Sequence, residues 1–284
     1  MHDELLTVKG LRVGTASGAA SRPTGADRIG RELVHGVSLG VERGGTLGIV
    51  GESGSGKSLT CRAVLGILPR GVAVTGGSIV FDGIDLTSLD HRAWMPLRGT
   101  RIAAVFQDPA SYLNPSLRVG AQLAEVLRVK VGLRRREARI RTLELFDRMG
   151  LREPAHVARQ YPFELSGGML QRVLIAIALA ADPELLIADE ATTALDVTVQ
   201  AEVLDLLEDL RRERGLTLVL VSHDLAVVSQ MCDRVVVMKE GAVVETGTAD
   251  DVLRRPEHDY TRSLIEHHTA YGIEKYLGEE TVGV

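Results

Sequence analysis

The stretch Gly51-Glu-Ser-Gly-Ser-Gly-Lys-Ser58 constrains the fold of this 284-residue chain more than any other part of its sequence. It fits the pattern GxxxxGK[ST], follows the apolar run 47–50 and precedes a helical pattern at 59–68. In such a strand-to-helix turn, backbone N–H groups surround phosphate oxygens, the lysine reaches the β- and γ-phosphates, and the serine hydroxyl binds Mg²⁺. The stretch therefore predicts a phosphate loop in an α/β fold. The residues expected to contact a nucleotide are Gly51, Glu52, Ser53, Gly54, Ser55, Gly56, Lys57, Ser58 and Leu59.

Two carboxylates follow another predicted buried strand. Residues 185–188 are apolar, and Asp189 and Glu190 come directly after them. At the C-terminal end of a strand, one acid can hold Mg²⁺ while its neighbour polarises a water molecule. A strand followed by ordinary surface acids would look the same, but the phosphate loop upstream favours the functional interpretation.

The composition excludes several classes of protein. Asp and Glu outnumber Lys and Arg by 38 to 33, so no global charge favours nucleic acid as the main partner. Cys61 and Cys232 form no metal-binding spacing and fit a reducing compartment. The most apolar run, 173–181, is too short to span a bilayer, and the N-terminus lacks a signal-peptide pattern. We therefore expect a cytosolic chain, or one that reaches a membrane only through a partner.

Short apolar runs that alternate with helical patterns predict buried parallel strands. These runs are residues 47–50, 102–106, 185–188 and 216–221. No strand-like run occurs from about 109 to 164, where the sequence instead predicts helices at 119–131 and 135–149. The pattern thus predicts an α/β domain with a helical insert.

Two further segments have a predicted conformation. Residues 14–31 are rich in Gly, Ala, Ser and Arg and predict a mobile surface loop between two early strands. Residues 234–238 and 242–246 predict a hairpin with Gly241 in its turn.

The sequence SGGMLQR at 166–172 places two adjacent glycines where a helix is about to begin. Ser166 is a good helix N-cap, which is one reason for the pattern. The same residues also expose backbone N–H groups at the positive end of a helix dipole, which is an anion site. Taken alone, the stretch does not decide between these interpretations.

With its phosphate loop, its acid pair and the stretch 165–172 between them, the chain resembles the ATP-binding subunit of an ABC transporter over about residues 5–268. The resemblance implies a P-loop NTPase core with an N-terminal antiparallel β portion, a helical subdomain at about 109–164, and a short tail at 269–284. It also implies that two such subunits pair head to tail. Each would then present its signature to the nucleotide of the other, through Ser166, Gly167, Gly168 and Gln171.

The resemblance also assigns roles to single residues, with ATP and Mg²⁺ as the ligands. The catalytic set would be Lys57, Gln107, Glu190 and His223. The Mg²⁺ set would be Ser58, Gln107 and Asp189. Asp196 matches a loop that crosses the dimer interface.

Within the family, FQDP with SYLNPSLRVG, DEATTALDVTVQ and EHDYTRSLI is similar to importers of oligopeptides, dipeptides, and nickel or metal chelates. The resemblance implies a second ATPase subunit, identical or related, two permease subunits, a solute-binding protein acting indirectly, and a peripheral position on the cytoplasmic face of the membrane. Two other classes remain as alternatives: a soluble ABC ATPase acting on DNA or ribosomes, and a nucleotide-binding regulator without catalysis. The single cassette with its compact insert disfavours the first, and Glu190 disfavours the second.

Overall fold

The computed structural model describes residues 4–16, 29–107, 109–190 and 197–269. The chain divides into two compact units. The first comprises residues up to 88 and from 219 onward, and the second comprises residues 89–218.

The secondary-structure elements follow one another along the chain. They are β1 (Glu4–Ala16), β2 (Ile29–Glu42), β3 (Thr46–Val50), α1 (Lys57–Val64), β4 (Val72–Phe81), β5 (Ile84–Asp85), a 3₁₀ helix (Leu86–Ser88), α2 (His91–Trp94), β6 (Ile102–Phe106), α3 (Pro109–Tyr112), α4 (Val119–Lys130), α5 (Arg135–Arg148), α6 (Pro154–Val157), a 3₁₀ helix (Pro162–Glu164), α7 (Gly167–Ala178), β7 (Leu185–Asp189), α8 (Val197–Arg214), β8 (Thr217–Val221), α9 (Leu225–Met231), β9 (Arg234–Lys239), β10 (Ala242–Thr248), α10 (Ala249–Arg254) and α11 (Asp259–Thr269).

One sheet of the first unit is antiparallel, with strand order β2-β1-β4-β5. In β1, Val8 and Leu11 are both buried although three positions separate them, which simple alternation would place on opposite faces. The register of β1 shifts between Val8 and Leu11 against β2 and between Lys9 and Arg12 against β4, and Gly10 has a φ of 57°. A glycine in this left-handed region forms a β-bulge, and the bulge returns Leu11 to the core face.

The other strands of the first unit position the phosphate loop. β3 pairs in parallel with β9, and β9 pairs antiparallel with β10. All five residues of β3 are buried, as expected for a strand covered on both faces. The chain leaves β3 at Val50 and enters α1 at Lys57, so residues 51–56 form the connection.

The second unit contains two parallel strands and most of the described helices. β6 pairs with β7 in a continuous register from Ile102 opposite Leu185 to Phe106 opposite Asp189. Because β7 is buried along its whole length, its polar terminal residue is buried with it. β8 passes from the second unit into the first.

The predicted loop at 14–31 is wrong at both of its ends. β1 extends to Ala16 and β2 begins at Ile29, with Gly14 opposite Glu32 and Ala16 opposite Ile29. Small residues without an apolar alternation do not reveal this pairing, because its backbone hydrogen bonds need no particular side chain. The rest of the predicted loop, residues 17–28, lies outside the described residues.

Candidate functional site

Three glycines of the phosphate loop have positive φ angles. The values are 145° at Gly51, 82° at Gly54 and 100° at Gly56, which favour glycine over residues with a side chain. Gly51 is also confined sterically, because a Cβ atom there would lie 2.1 Å from the carbonyl oxygen of Met238. The glycine spacing of the motif therefore follows from the backbone path of the loop.

The loop folds around the ammonium group of its own lysine. Lys57 is 4% exposed, and its Nζ donates hydrogen bonds to the carbonyl oxygens of Gly51 at 2.7 Å and Glu52 at 2.8 Å. The Glu52 carbonyl also accepts the N–H of Ser55 at 3.2 Å. A buried ammonium group attracts an anion strongly, because burial weakens the screening of its charge by water.

Two polar features of the loop fit a phosphate ligand. Within the described part of the chain, the buried Oγ of Ser55 has no hydrogen-bond partner, so it is free to bind a ligand oxygen. Gly56, which precedes α1, cannot cap this helix with a side chain, and the positive end of the helix dipole faces the loop. Ser58 and Leu59 are half-buried in the first turn of α1.

His223 lies after β8, in the same unit as the phosphate loop. It is exposed, and the residues on either side of it are anchored. The N–H of Ser222 donates to the carbonyl oxygen of Ile49 in β3 at 3.3 Å, and the Ser222 hydroxyl accepts the N–H of Asp224 at 2.9 Å. Asp224 in turn caps α9. This arrangement places His223 beside the strand that leads into the phosphate loop.

In the second unit, the predicted catalytic residues follow two adjacent strands. Phe106 and Asp189 are opposite each other at the ends of β6 and β7, and Gln107 and Glu190 come directly after them. Asp189 is 5% exposed, Glu190 is half-buried, and Gln107 is exposed. Glu190 has a φ of 50°, a left-handed conformation that is uncommon for a residue with a side chain. Such backbone strain often accompanies functional sites.

The signature residues lie at the start of α7. The Ser166 hydroxyl caps the helix by accepting the N–H of Met169 at 3.4 Å, and Ser166 and Gly167 are exposed. Gly168 packs against Val199, since a Cβ atom there would lie 2.6 Å from its Cγ1. Gln171 is 1% exposed and therefore faces the interior, unlike Ser166 and Gly167.

The structure thus brings the phosphate loop and the His223 segment together in the first unit. Gln107, Asp189, Glu190 and the signature belong to the second unit. The predicted interface residue Asp196 lies outside the described residues.

Sequence reasoning missed one residue that contacts the loop. The hydroxyl of Tyr260 accepts the backbone N–H of Glu52 at 3.1 Å. The only signal for it in the sequence is the tyrosine within EHDYTRSLI, which has no local pattern that points to the loop.

In the described part of the chain, none of the helices combines the length and apolar character that crossing a bilayer requires.

Comparison with known proteins places the chain in a family. The sequence profile of the ABC transporter family matches residues 34–193. The probable D,D-dipeptide transport ATP-binding protein DdpD of Escherichia coli is 45% identical over 242 residues, which are 85% of this chain and 74% of that protein. The dipeptide transport ATP-binding protein DppD of Haemophilus influenzae is 43% identical over 248 residues, or 87% of this chain and 75% of that protein.

A solved structure shares the fold. The ATP-binding cassette MJ0796, a dimer in a post-hydrolysis state bound to ADP and Pi, superposes with a TM-score of 0.73 at 30% identity. The match covers 86% of this chain and 98% of that chain. Both the fold class and the family predicted from the motifs are confirmed. The chain belongs to the ABC transporter family, as one of its ATP-binding proteins.

Proposed function

We propose that this chain is the ATP-binding and ATP-hydrolysing subunit of an importer whose cargo is a di- or oligopeptide. The main support is its identity of 43–45% to proteins named as dipeptide transport ATP-binding proteins, over 85–87% of this chain. The phosphate loop supports the ATP-binding part independently, through its buried lysine and the unpartnered Ser55 hydroxyl.

Each predicted residue has a role in this proposal. Lys57 and His223 bind the γ-phosphate, and the backbone N–H groups of the loop bind the remaining phosphate oxygens. Glu190 orients the attacking water and accepts its proton. The buried Lys57 and the anchored segment around His223 support this assignment, because a site that stabilises developing charge must be fixed before the reaction.

Mg²⁺ fits the oxygen ligands that the proposal assigns to it. Ser58, Gln107 and Asp189 offer a hydroxyl, an amide oxygen and a carboxylate, which are donors that hard cations prefer. When bound, Mg²⁺ would neutralise charge on the β- and γ-phosphates. The side chain of Asp189 is suited to this role because it is 5% exposed at the end of β7, where packing restricts its rotamers.

The proposal includes a dimer in which each subunit completes the nucleotide site of the other. Ser166 and Gly167 are exposed at the start of α7, a 12-residue helix whose N-terminus attracts anions. In such a dimer, closing brings this helix end to the partner's γ-phosphate, and hydrolysis removes that bridge. The second subunit is an identical or a related chain.

A substitution in the signature tests this arrangement. Ser166→Arg should abolish hydrolysis while the chain still binds ATP through its own phosphate loop. Ser166→Ala is the matched control, because it also removes the helix cap but adds no bulk. Loss of ATP binding by monomeric Ser166→Arg protein would contradict the head-to-tail dimer.

The proposed membrane partners are two permease subunits, which hold the chain at the cytoplasmic face of the membrane and receive cargo from a solute-binding protein. A groove of about 860 Å³ among α4, α5 and α6 is a suitable docking site for a permease loop. Five arginines and one glutamate line it, together with apolar side chains such as Val129, which is 72% exposed. A positive, partly apolar groove fits an amphipathic segment with acidic residues.

Reconstitution tests the importer and its cargo. The chain is purified with its permease subunits, placed in proteoliposomes, and supplied with the solute-binding protein. We expect peptides of two to five residues to stimulate ATP hydrolysis and to accumulate inside. Stimulation by nickel or a metal chelate, with no response to peptides, would contradict the peptide assignment. ATP hydrolysis that responds to DNA or ribosomes and not to permeases would contradict the importer.

A further inference from the structure

The C-terminal helix α11 contacts the phosphate loop directly. Tyr260, in the first turn of α11, is 9% exposed, and its hydroxyl oxygen accepts the backbone N–H of Glu52 at 3.1 Å. The two residues lie 208 positions apart in the sequence and belong to the same unit. The contact therefore joins the last described helix of the chain to the first turn of the loop.

Glu52 is also the residue that holds the lysine of the loop. Its carbonyl oxygen accepts Nζ of Lys57 at 2.8 Å and the N–H of Ser55 at 3.2 Å. The backbone of Glu52 is thus fixed on its N–H side by Tyr260 and on its carbonyl side by Lys57 and Ser55. A displacement of the Tyr260 hydroxyl would therefore shift the backbone of Glu52, and with it the position of the Lys57 ammonium group.

The ring of Tyr260 has a fixed position of its own. Nζ of Lys239, the last residue of β9, lies 4.8 Å from the ring centroid, within cation–π range. The turn after β9 also holds the loop, because the N–H of Gly241 donates to the carbonyl oxygen of Ser55 at 3.0 Å. The phosphate loop is therefore held at Glu52 by α11 and at Ser55 by the turn between β9 and β10.

The segment before α11 is anchored as well. The carboxylate of Glu245 in β10 accepts the N–H of Glu257 at 2.8 Å and the N–H of His258 at 3.1 Å. Leu264, one turn along α11 from Tyr260, is 7% exposed and adds apolar packing. These contacts fix the start of α11 independently of the tyrosine hydroxyl.

We propose that Tyr260 is a positioning residue for ATP binding, which holds the phosphate loop in its binding geometry through the N–H of Glu52. The inference rests on the proposed function, in which this loop binds ATP. Without the hydroxyl, the Glu52 N–H loses its partner in a partly buried position, and both Glu52 and the Lys57 ammonium become less fixed. Burial raises the pKa of Tyr260, so its hydroxyl remains a neutral acceptor at physiological pH.

Tyr260→Phe tests the proposal, because it removes only the hydroxyl and keeps the ring that packs under Lys239. We expect the Kd for MgATP and MgADP, and the KM for ATP, to rise about three- to tenfold, the scale of one ordinary hydrogen bond lost at a part-buried donor. The kcat should change less than the KM. The amide hydrogen of Glu52 should also exchange faster with solvent.

Leu264→Ala is the matched control on the same helix. It removes packing of α11 without touching the hydroxyl, so it should lower the melting temperature and leave the Kd for MgATP within twofold of wild type. Nucleotide affinity within twofold of wild type in Tyr260→Phe would overturn the proposal. So would a Leu264→Ala variant that weakens binding as much as Tyr260→Phe, since helix packing alone would then explain the effect.

Lys57→Ala separates failure of this proposal from failure of the proposed function. If wild-type protein binds MgATP and Lys57→Ala does not, the phosphate loop is the ATP site and Tyr260→Phe decides the role of the hydroxyl. If Lys57→Ala binds MgATP as well as wild type, the loop is not the site, and both proposals are overturned.

Discussion

Phe106 and Asp189 are opposite each other at the ends of the parallel strands β6 and β7. The chain therefore leaves both strands at the same edge of the sheet, with Gln107 following one and Glu190 following the other. The roles proposed for Glu190 in activating water and for Gln107 in binding Mg²⁺ need this kind of placement, because both residues would act on one phosphate group.

Glu190→Gln should therefore abolish ATP hydrolysis and leave ATP binding intact. The amide keeps the shape of the side chain but cannot accept a proton from the attacking water. We expect turnover to fall by at least about a hundredfold, in keeping with the loss of a general base, and an ATP-bound dimer to accumulate on size-exclusion chromatography. Glu266→Gln, an exposed substitution on α11, is the control. Hydrolysis at the wild-type rate in Glu190→Gln would remove this residue from the mechanism.

The two signature glycines should respond differently to alanine. A Cβ atom on Gly168 would meet Cγ1 of Val199 at 2.6 Å, whereas one on Gly167 has no described atom within 4 Å. Gly168→Ala should therefore lower the free energy of unfolding by about 1–3 kcal/mol, the usual cost of overpacking around a stiff β-branched side chain. Gly167→Ala should keep or raise stability and reduce only the hydrolysis that requires the dimer.

Thermal unfolding and ATPase assays measure both effects. The double variant Gly168→Ala with Val199→Ala should recover stability relative to Gly168→Ala, because it removes the clashing methyl groups. Equal stability losses for Gly167→Ala and Gly168→Ala would show that the contact with Val199 does not require glycine at position 168.

These glycines show that local elements can be predicted from the sequence, whereas contacts between distant residues cannot. The motif SGG predicted the start of α7, and the apolar runs predicted β3, β6, β7 and β8 to within about one residue, because both signals are local. The contact of Gly168 with Val199 and that of Tyr260 with Glu52 join distant parts of the chain. No periodicity in the sequence encodes such pairs, so only the fold reveals them.

For residues 14–31, the prediction from composition was wrong at both ends of the segment. Their composition predicted a loop, yet both ends of the segment continue the pairing of β1 with β2. Backbone hydrogen bonds between antiparallel strands continue the pairing beyond the apolar residues, so strand ends without an apolar alternation are easily predicted as loop.

The anchoring of α11 should depend on pH through Glu245. Burial would raise the pKa of this carboxyl group, but the nearby Thr261 hydroxyl, the N–H groups of Glu257 and His258, and the charge of His258 lower it below its ordinary value. A lowered pKa means that Glu245 stabilises the folded chain at pH values above its unfolded pKa of about 4.3, and that this contribution is lost as pH falls through the folded pKa.

Glu245→Gln should therefore melt at a lower temperature than wild type at pH 7, with a difference that shrinks as pH falls below about 4.3. Thermal melts over a pH series measure this, with Glu266→Gln as a control that shows no such pH dependence. A difference that stays constant from pH 7 to the acid limit would show that charge at Glu245 does not stabilise the fold.

The groove among α4, α5 and α6, which five arginines line, should be needed for association with permeases. Arg128→Glu with Arg139→Glu reverses two charges that line it. We expect the double variant to bind ATP as wild type does and to be lost from a complex purified through a tagged permease. Arg136→Glu, also exposed on α5 but outside the groove, should remain in the complex. If Arg136→Glu is lost from the complex as much as the double variant, the effect comes from overall charge and not from the groove.

The purified chain should discriminate weakly between ATP and GTP. Stacking on adenine needs an aromatic ring, and no Phe, Trp or Tyr precedes Phe81 in the sequence, so β1 and β2 offer none. In β1, Leu11 and Val13 are buried in the core, and the guanidinium of Arg12 pairs with Glu32 at 2.9 Å. Binding energy must then come mainly from the phosphates and Mg²⁺, which the two nucleotides share.

Side-by-side titration of MgATP and MgGTP measures this, and we expect the two Kd values to agree within about tenfold, or about 1.4 kcal/mol. Arg12→Ala tests whether the guanidinium stacks on the base despite its ion pair. Because Glu32 already holds the guanidinium, we expect the variant to bind both nucleotides as wild type does, whereas a stacked cation would contribute on the order of 1 kcal/mol. A preference for ATP beyond tenfold would contradict the prediction and show that a group in the chain recognises adenine.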